Sequence, residues 1–212
     1  GFHCHNLCEC DSFATARTIE AIEKRFGQWL GQLKWLNLGG GHLMTRDGYD
    51  VEHLIKTLKD FKERYPHLDV ILEPGSAVAW QTGPLICEVV DMVENDGDIA
   101  ILDISATAHM PDVLEMPYRP AILGAGMPDE KVHNVKLGGN SCLAGDVIDV
   151  YSFDTPLKAG DRLQFEDMMH YTMVKTTFFN GVEHPAIGIL RANGDFELVR
   201  EFSYEDFKGR LS

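Results

Sequence analysis

Two glycine-containing segments have residue types that could hold a phosphorylated cofactor. The triplet Gly39–Gly41 follows an apolar run and precedes a helical pattern. Without a Cβ, its backbone N–H groups can approach a phosphate, and the next helix contributes the positive end of its dipole. Glu73, followed by Pro74 and Gly75, ends the next apolar run, where a carboxylate could pair with a protonated pyridine nitrogen. A tight loop without ligand and a solvated loop glutamate are the alternative interpretations.

Two other segments contain possible proton donors. Cys142 lies within Gly138–Asp146, a run of small residues that would present the thiol, so a proton donor or nucleophile fits there. An incidental cysteine in a β-turn is the alternative. Tyr171 could donate its hydroxyl to a phosphate oxygen, although a tyrosine in a strand more often packs against neighbours.

The first ten residues are dense in metal-ligand types, with His3, Cys4, His5, Cys8 and Cys10 close together. On a strand, His3 and His5 would share one face and Cys4 would point away. This crowded spacing matches no standard zinc pattern. We therefore predict no metal and favour a single histidine lying flat on an aromatic cofactor.

The first third of the chain alternates between strand and helix patterns. Gly1–Leu7, Trp35–Leu38 and Asp69–Leu72 are predicted strands. Between them lie two apolar stripes with helical spacing, which consist of Ile19, Ile22, Phe26, Trp29, Leu30 and Leu33, and of Val51, Leu54, Ile55, Leu58, Phe61 and Tyr65. Such alternation predicts right-handed βα units and a parallel sheet. Three strands cannot close an eight-stranded barrel.

From about Thr82 the pattern changes to short runs rich in Val and Ile that are separated by turn signals such as Asn95–Gly97 and Asn193-Gly194. This pattern predicts a Greek-key or barrel-like β-domain. The expected fold is α/β plus all-β, with the last βα units of a TIM-type barrel at residues 1–82 and a C-terminal β-domain at residues 83–212.

Composition narrows the classes of partner. The net charge is −14, which argues against nucleic acid because binding to phosphate backbones needs Lys and Arg. No apolar run approaches the length of a membrane helix, which is about 20 residues, and we expect no membrane association. The five cysteines are odd in number and irregularly spaced, which favours a reducing cytoplasm.

Taken together and in this order, these segments resemble the alanine-racemase-like (fold type III) decarboxylases that depend on pyridoxal 5'-phosphate (PLP), a group that includes ornithine and diaminopimelate decarboxylases. Four segments are similar to the carboxynorspermidine decarboxylase branch of that family. They are Trp35–His42, Glu73–Gly83, His109–Pro120 and Ser141–Asp146, of which the last two are the most specific. The resemblance covers nearly the whole chain.

The resemblance implies a cytoplasmic PLP-dependent decarboxylase of carboxynorspermidine or carboxyspermidine, acting as a homodimer with shared active sites. It implies the following roles: His5 stacks on the pyridine ring, Gly39, Gly40, Gly41 and Tyr171 hold the phosphate, Glu73 faces the ring nitrogen, Cys142 protonates the intermediate in the partner subunit, and Asp103 and Asp112 bind the amine end of the substrate. The alternatives are a diaminopimelate-type decarboxylase, a non-catalytic PLP-binding protein, and a metal-binding module at His3–Cys10.

The chain departs from the family pattern in three places. Ser76 stands where an arginine often helps to bind phosphate in the relatives. Leu143 stands after the loop cysteine, where related decarboxylases usually have an acidic residue. The Schiff-base lysine of the family sits on an early barrel strand, and no lysine here lies in a matching segment; Lys34 is the nearest and is at the wrong end of its strand. We therefore expect a C-terminal fragment that is inactive alone and that is aggregation-prone or depends on a missing segment.

Overall fold

The computed structural model describes all 212 residues, which form two compact units, Gly1–Trp80 and Gln81–Ser212. This division lies two residues before the predicted one. The assignment of the two parts to a barrel and a β-domain stays a prediction. None of the helices combines the length and the apolar character needed to cross a bilayer.

The first unit is a β-α-β-α-β arrangement around a parallel sheet. Its elements are β1 (Phe2–His3), α1 (Ser12–Leu30), β2 (Trp35–Asn37), α2 (Val51–Arg64) and β3 (Asp69–Ile71). The strand order is β1-β2-β3, with Leu36 of β2 paired with Phe2 on one side and Val70 on the other. The predicted parallel strand–helix alternation is therefore present. Membership of these strands in an eight-stranded barrel remains a prediction.

The predicted strand Gly1–Leu7 is too long, because only Phe2 and His3 are paired as β1. The Cys4 N–H still donates to the Asn37 carbonyl (2.9 Å). Beyond that point the backbone runs past the glycine triplet, and a Cβ on Gly41 would lie 2.2 Å from the Leu7 carbonyl oxygen. The chain therefore leaves the sheet after Cys4, because the Gly39–Gly41 loop after β2 occupies the adjacent space.

Both helices start at aspartate caps. The side chain of Asp11 accepts from the Ala14 N–H, and Asp50 does the same for the His53 N–H; each distance is 2.8 Å. The sheet-facing residues Ile19, Ile22, Leu30, Leu36, Leu38, Phe61 and Leu68 form the buried core. The predicted stripe of α1 is only partly buried, because Phe26 and Trp29 stay exposed and pack edge-on against Phe2.

The second unit is built on a five-stranded sheet. Its strands are β4 (Leu85–Glu94), β5 (Asp98–Leu102), β6 (His133–Gly138), β7 (Val147–Phe153) and β8 (Arg162–Phe165), in the order β7-β6-β5-β4-β8. Backbone bridges tie Ile122 to β8 and Gly126 to β7, the two edge strands. The sheet therefore curls so that one short segment spans its open side, as the predicted barrel-like character requires.

Short helices and one hairpin complete this unit. The helices are α3 (Ala106–His109), α4 (Asp112–Glu115), α5 (Tyr171–Val174) and α6 (Tyr204–Leu211). The hairpin consists of β9 (Ile187–Leu190) and β10 (Phe196–Arg200), which flank the predicted turn at Asn193-Gly194. The buried core lies between the sheet and the α3–α4 region and includes Val89, Leu102, Met110, Val135 and Phe165.

Candidate active site

The carboxyl ends of the three parallel strands bring the cofactor-binding candidates of the first unit together. His5 follows β1, the triplet Gly39–Gly41 follows β2 and Glu73 follows β3. The Glu73 N–H donates to the Gly39 carbonyl (2.8 Å), which joins the last two loops through the backbone. Parallel strands all end at one edge of a sheet, which explains why residues 30 to 40 positions apart in sequence meet here. Lys34 precedes β2 and so lies at the opposite edge, as predicted.

The glycine loop is packed too closely for any side chain. Gly39 and Gly41 have φ values of +70° and +82°, which L-residues rarely adopt. A Cβ on Gly40 would lie 2.6 Å from the Glu73 carbonyl oxygen and 3.4 Å from Cε1 of His5. The Gly39 N–H donates to Asn37 Oδ1 (2.8 Å), whereas the N–H groups of Gly40 and Gly41 donate in none of the hydrogen bonds of this loop. The loop therefore offers two backbone donors next to His5.

The Glu73 carboxylate is held on one oxygen only. Its Oε1 accepts from Asn37 Nδ2 at 2.7 Å. Its Oε2 lies 3.5 Å from His3 Nε2 and 3.9 Å from His5 Nδ1. About half of the side chain is exposed (46%), so that Oε2 is accessible to a further partner. His3, His5 and Glu73 have potential ligand atoms within 4.8 Å of one another, which is a closer grouping than the sequence indicated.

His42 follows the glycine triplet as a buried, neutral side chain. Only 2% of it is exposed, and its Nδ1 lies 3.1 Å from the Thr15 hydroxyl oxygen. Burial is the main cause that lowers the pKa of His42 below its usual value of 6.5. His42 therefore supports the loop by packing and adds no positive charge to it at neutral pH.

In the second unit, Cys142 is exposed in the loop between β6 and β7, as predicted. Its N–H donates to Asn180 Oδ1 (2.9 Å). The loop is braced from within by Asp146, which is 3% exposed. The two carboxylate oxygens of Asp146 accept from the N–H groups of Thr107 (3.2 Å) and Ser141 (3.0 Å). This buried brace fixes the backbone immediately before the thiol.

The two aspartates predicted to bind substrate differ in environment. Asp103 is exposed, and its Oδ1 accepts from the Glu88 N–H (2.9 Å). Asp112 is buried, and its Oδ2 accepts from the hydroxyls of Tyr118 (2.7 Å) and Thr172 (2.9 Å). Its Oδ1 is buried without a hydrogen-bond partner. Asp112 therefore keeps one acceptor unused.

Tyr171 is the first residue of α5, next to Thr172, and is 51% exposed. The alternative interpretation of this residue, packing within a strand, is wrong, because Tyr171 is helical and largely accessible. Its neighbour Thr172 carries the contact to Asp112, so α5 and α4 are joined by a buried hydrogen bond. The role of Tyr171 at a phosphate stays a prediction.

Three participants were missed by the reasoning from sequence. Asn37 is the single polar residue in the run Trp35–Leu38, an anomaly that could have been noticed. His3 was considered only as a metal ligand. Asp146 ends the cysteine loop and looks like an ordinary turn residue, so that nothing in the pattern shows its burial.

Comparison with known proteins identifies the family of this chain. Residues 10–169 match the family described as pyridoxal-dependent decarboxylase, C-terminal sheet domain. The chain belongs to the pyridoxal-dependent decarboxylases. The match covers most of both units, which supports the family resemblance stated from the sequence.

Curated relatives narrow the branch of this family. The chain is 59% identical to carboxyaminopropylagmatine decarboxylase of Synechocystis sp. over 212 residues, which is all of this chain and 55% of the relative. It is 46% identical to carboxynorspermidine/carboxyspermidine decarboxylase of Campylobacter jejuni over 221 residues, covering 99% of this chain and 58% of the relative. The chain thus spans about half the length of the curated relatives it matches.

Solved structures agree with this placement. The crystal structure of carboxynorspermidine decarboxylase from Campylobacter jejuni complexed with norspermidine matches with a TM-score of 0.90 at 46% identity, covering 98% of this chain and 59% of that one. Diaminopimelate decarboxylase from M. jannaschii in co-complex with L-lysine matches with a TM-score of 0.74 at 20% identity, covering 98% of this chain and 50% of that one. The second likeness shows the fold alone.

Proposed function

We propose that the protein to which this chain belongs is a PLP-dependent decarboxylase of carboxylated polyamines. One observation carries the proposal: the half-exposed Glu73 carboxylate, the His5 ring and the two unused glycine N–H groups lie together at the strand ends. This is the donor and acceptor set that a phosphorylated pyridine needs. The relatives' names, which specify carboxyaminopropylagmatine, carboxynorspermidine and carboxyspermidine, support the substrate class.

The residues present fit PLP. The free N–H groups of Gly40 and Gly41 suit a phosphate, because backbone donors in a turn with positive φ form an anion-binding concavity. The accessible Glu73 Oε2 suits a protonated ring nitrogen, and the exposed ring of His5 suits a stacking contact. In the second unit, the exposed hydroxyl of Tyr171 is proposed as a further phosphate donor.

The chemistry then divides among the side chains. PLP, when bound, supplies an electron sink for the electron pair left on the substrate when CO₂ departs. Glu73 keeps a proton on the ring nitrogen, because an ionised carboxylate beside it favours the charged form. His5 excludes water from one face of the ring. The Cys142 thiol delivers a proton to the α-carbon, for which its exposed loop position is suited.

The substrate's cationic amine end calls for carboxylates. Asp103 is exposed, and Asp112 keeps its Oδ1 unpartnered, so we assign the amine contacts to these two residues. A diaminopimelate-type decarboxylase would instead need a cation for the second carboxylate of its substrate. The net charge of −14 also favours a cationic substrate.

We further propose that the first unit contributes the last βα units of a TIM-type barrel, with residues 83–212 as the C-terminal β-domain. In this arrangement the functional enzyme is a homodimer in which Cys142 serves the partner's site. The Schiff-base lysine would come from a barrel strand outside this chain. The length of the relatives, nearly twice that of this chain, supports this view.

A substrate panel tests the proposal. Full-length protein loaded with PLP is incubated with carboxyaminopropylagmatine, carboxynorspermidine, carboxyspermidine and meso-diaminopimelate, and CO₂ and the amine products are measured. We expect CO₂ from at least one carboxylated polyamine and none from diaminopimelate. Release from diaminopimelate alone would favour the amino-acid decarboxylase, and PLP binding without any CO₂ would favour the non-catalytic alternative.

A further inference from the structure

A buried asparagine links the two ends of the proposed cofactor site. Asn37 is the last residue of β2 and is 9% exposed. Its Nδ2 donates to Glu73 Oε1 at 2.7 Å, and its Oδ1 accepts from the Gly39 N–H at 2.8 Å. One side chain thus contacts both the glycine loop and the carboxylate that faces the ring nitrogen.

Only one orientation of the Asn37 amide satisfies both contacts. The reverse orientation would set the NH₂ group against the Gly39 N–H and the oxygen against the Glu73 carboxylate, which are two repulsive contacts. In the orientation observed, Asn37 requires an acceptor at Glu73, a requirement that Oε1 meets. A buried donor left without an acceptor is costly, so this contact holds the Glu73 carboxylate in one orientation.

We propose that Asn37 is a positioning residue that couples the phosphate loop to the ring-nitrogen carboxylate. The inference rests on the proposed function, because it assigns the two loops to the two ends of PLP. Asn37 sets the separation between the glycine amides and Glu73 and orients the carboxylate so that Oε2 remains open. The direct backbone contact from the Glu73 N–H to the Gly39 carbonyl fixes the same two loops, but it leaves the carboxylate free to rotate.

The coupling predicts different behaviour for two substitutions. Asn37→Ala removes both contacts. We expect the affinity of the full-length protein for PLP to fall by roughly ten- to a hundredfold, the range seen when a residue that orients the direct binding groups is removed. Asn37→Asp keeps the acceptor for Gly39. When protonated, its carboxyl also donates to Glu73, and when ionised it repels the Glu73 carboxylate, which Asn37 Nδ2 contacts at 2.7 Å in the unmodified protein. Its affinity relative to the unmodified protein should therefore be near normal at acidic pH and fall as the pH rises.

Asn134 provides the matched control. Its Nδ2 donates to Asp129 Oδ1 (2.6 Å), and its Oδ1 accepts from the Asp129 N–H (2.9 Å), so it makes the same pair of contacts on an exposed part of β6. Asn134→Ala and Asn134→Asp carry the same chemical changes away from the strand ends. Neither should alter PLP affinity or its dependence on pH.

The experiment is a titration of full-length apoprotein with PLP at several pH values, together with ¹⁵N NMR of ring-labelled PLP and melting of the apoprotein. We expect the affinity losses described above and a ring-nitrogen resonance displaced towards the unprotonated form in Asn37→Ala.

PLP affinity of Asn37→Ala within twofold of the unmodified protein, or an Asn37→Asp affinity ratio that does not change with pH, would overturn the assignment. If the unmodified protein itself binds no PLP, the proposed function fails first, which is a separate result. Asn37→Asp at acidic pH keeps both contacts and so serves as the test if Asn37→Ala does not fold.

Discussion

At the scale of single residues, the two carboxylate oxygens of Glu73 lie in different environments. One carboxylate oxygen is held by Asn37, and the other remains open beside His3 and His5. A group that must keep a proton on a ligand needs both a fixed orientation and a negative charge. The hydrogen bond from Asn37 fixes the orientation of Glu73, and the carboxylate itself provides the negative charge.

Removal of that charge should therefore impair catalysis without unfolding the protein. For Glu73→Gln in the full-length enzyme we expect the decarboxylation kcat to fall by roughly a hundredfold, in the range for loss of a group that manages a proton. Steady-state kinetics with saturating PLP measure it. Glu63→Gln, on the exposed face of α2, is the control. A kcat within twofold of normal in Glu73→Gln would remove Glu73 from the mechanism.

His109 gives the second unit a built-in sensitivity to acid. It is 2% exposed, and its Nδ1 accepts from the Ser105 N–H (3.1 Å). Burial, followed by the nearby His184, lowers the pKa of His109 from 6.5 to about 4. Between these values the unfolded chain binds more protons than the folded one, so the free energy of unfolding falls as the pH decreases from 6.5 to 4.

We expect this single residue to account for a loss on the order of 3 kcal/mol across that range. The measurement is urea unfolding of the full-length protein at pH values on both sides of the window. His109→Gln should be less stable at neutral pH but should lose much less on acidification. His133→Gln, a partly exposed histidine of β6, should keep the normal acid dependence. Equal acid dependence in all three proteins would contradict this account.

At the scale of elements, the β6–β7 loop shows how a backbone is fixed immediately before the exposed Cys142 side chain. Asp146 accepts from the N–H groups of Thr107 and Ser141, and a Cβ on Gly139 would lie 2.4 Å from its Oδ2. Asp146 thereby joins the loop to the first turn of α3. The Cys142 loop is therefore ordered by a buried carboxylate and not by turn chemistry alone.

Asp146→Ala should loosen this loop. It leaves two partly buried N–H groups without their acceptor, at up to about 1–3 kcal/mol each. Thermal unfolding should show the loss of stability, and the amides of Ser141 and Thr107 should exchange hydrogen for deuterium faster. Asp154→Ala, an exposed carboxylate paired with Lys131, is the control. Unchanged exchange at Ser141 and Thr107 would show that Asp146 does not brace the loop.

Some helices and hairpins could be predicted from the sequence, whereas the length of one strand and the exposure of one helix face could not. Helical periodicity located α1, and the turns at Asn95–Gly97 and Asn193-Gly194 located two hairpins, because these signals act within a few residues. The length of β1 was wrong, since the Gly39–Gly41 loop that displaces it lies more than 30 positions away. Exposure of Phe26 and Trp29 depends on which surfaces the sheet offers, which periodicity alone does not specify.

The same reason explains the candidate site. Glycine, histidine and glutamate at strand ends could be chosen from residue type and family pattern. Asp146 could not, and the polarity of Asn37 in an apolar run gave no indication of its partners, because the contacts of both residues are created by folding between distant segments. The residues proposed to contact the cofactor thus leave a signal in the sequence, whereas the residues that orient them do so only weakly.

At the scale of the whole molecule, the proposed homodimer makes each active site from two chains. A full-length Cys142→Ala subunit lacks the proposed proton donor, and a Glu73→Gln subunit lacks the proposed partner of the ring nitrogen. If Cys142 serves the partner's site, a mixed dimer contains one complete site. Subunits mixed after reversible dissociation should regain up to about a quarter of normal activity, because half of the dimers are mixed and each has one working site. Activity that stays at the mean of the two separate variants would contradict shared sites.

We propose that these strand ends hold PLP in a decarboxylase whose anchoring lysine lies outside Gly1–Ser212. The most direct measurement is borohydride reduction of the full-length protein with PLP, followed by peptide mass mapping. We predict a phosphopyridoxyl group on a lysine that precedes Gly1 in the longer protein. A label on a lysine within Gly1–Ser212, or no label at all, would contradict the account.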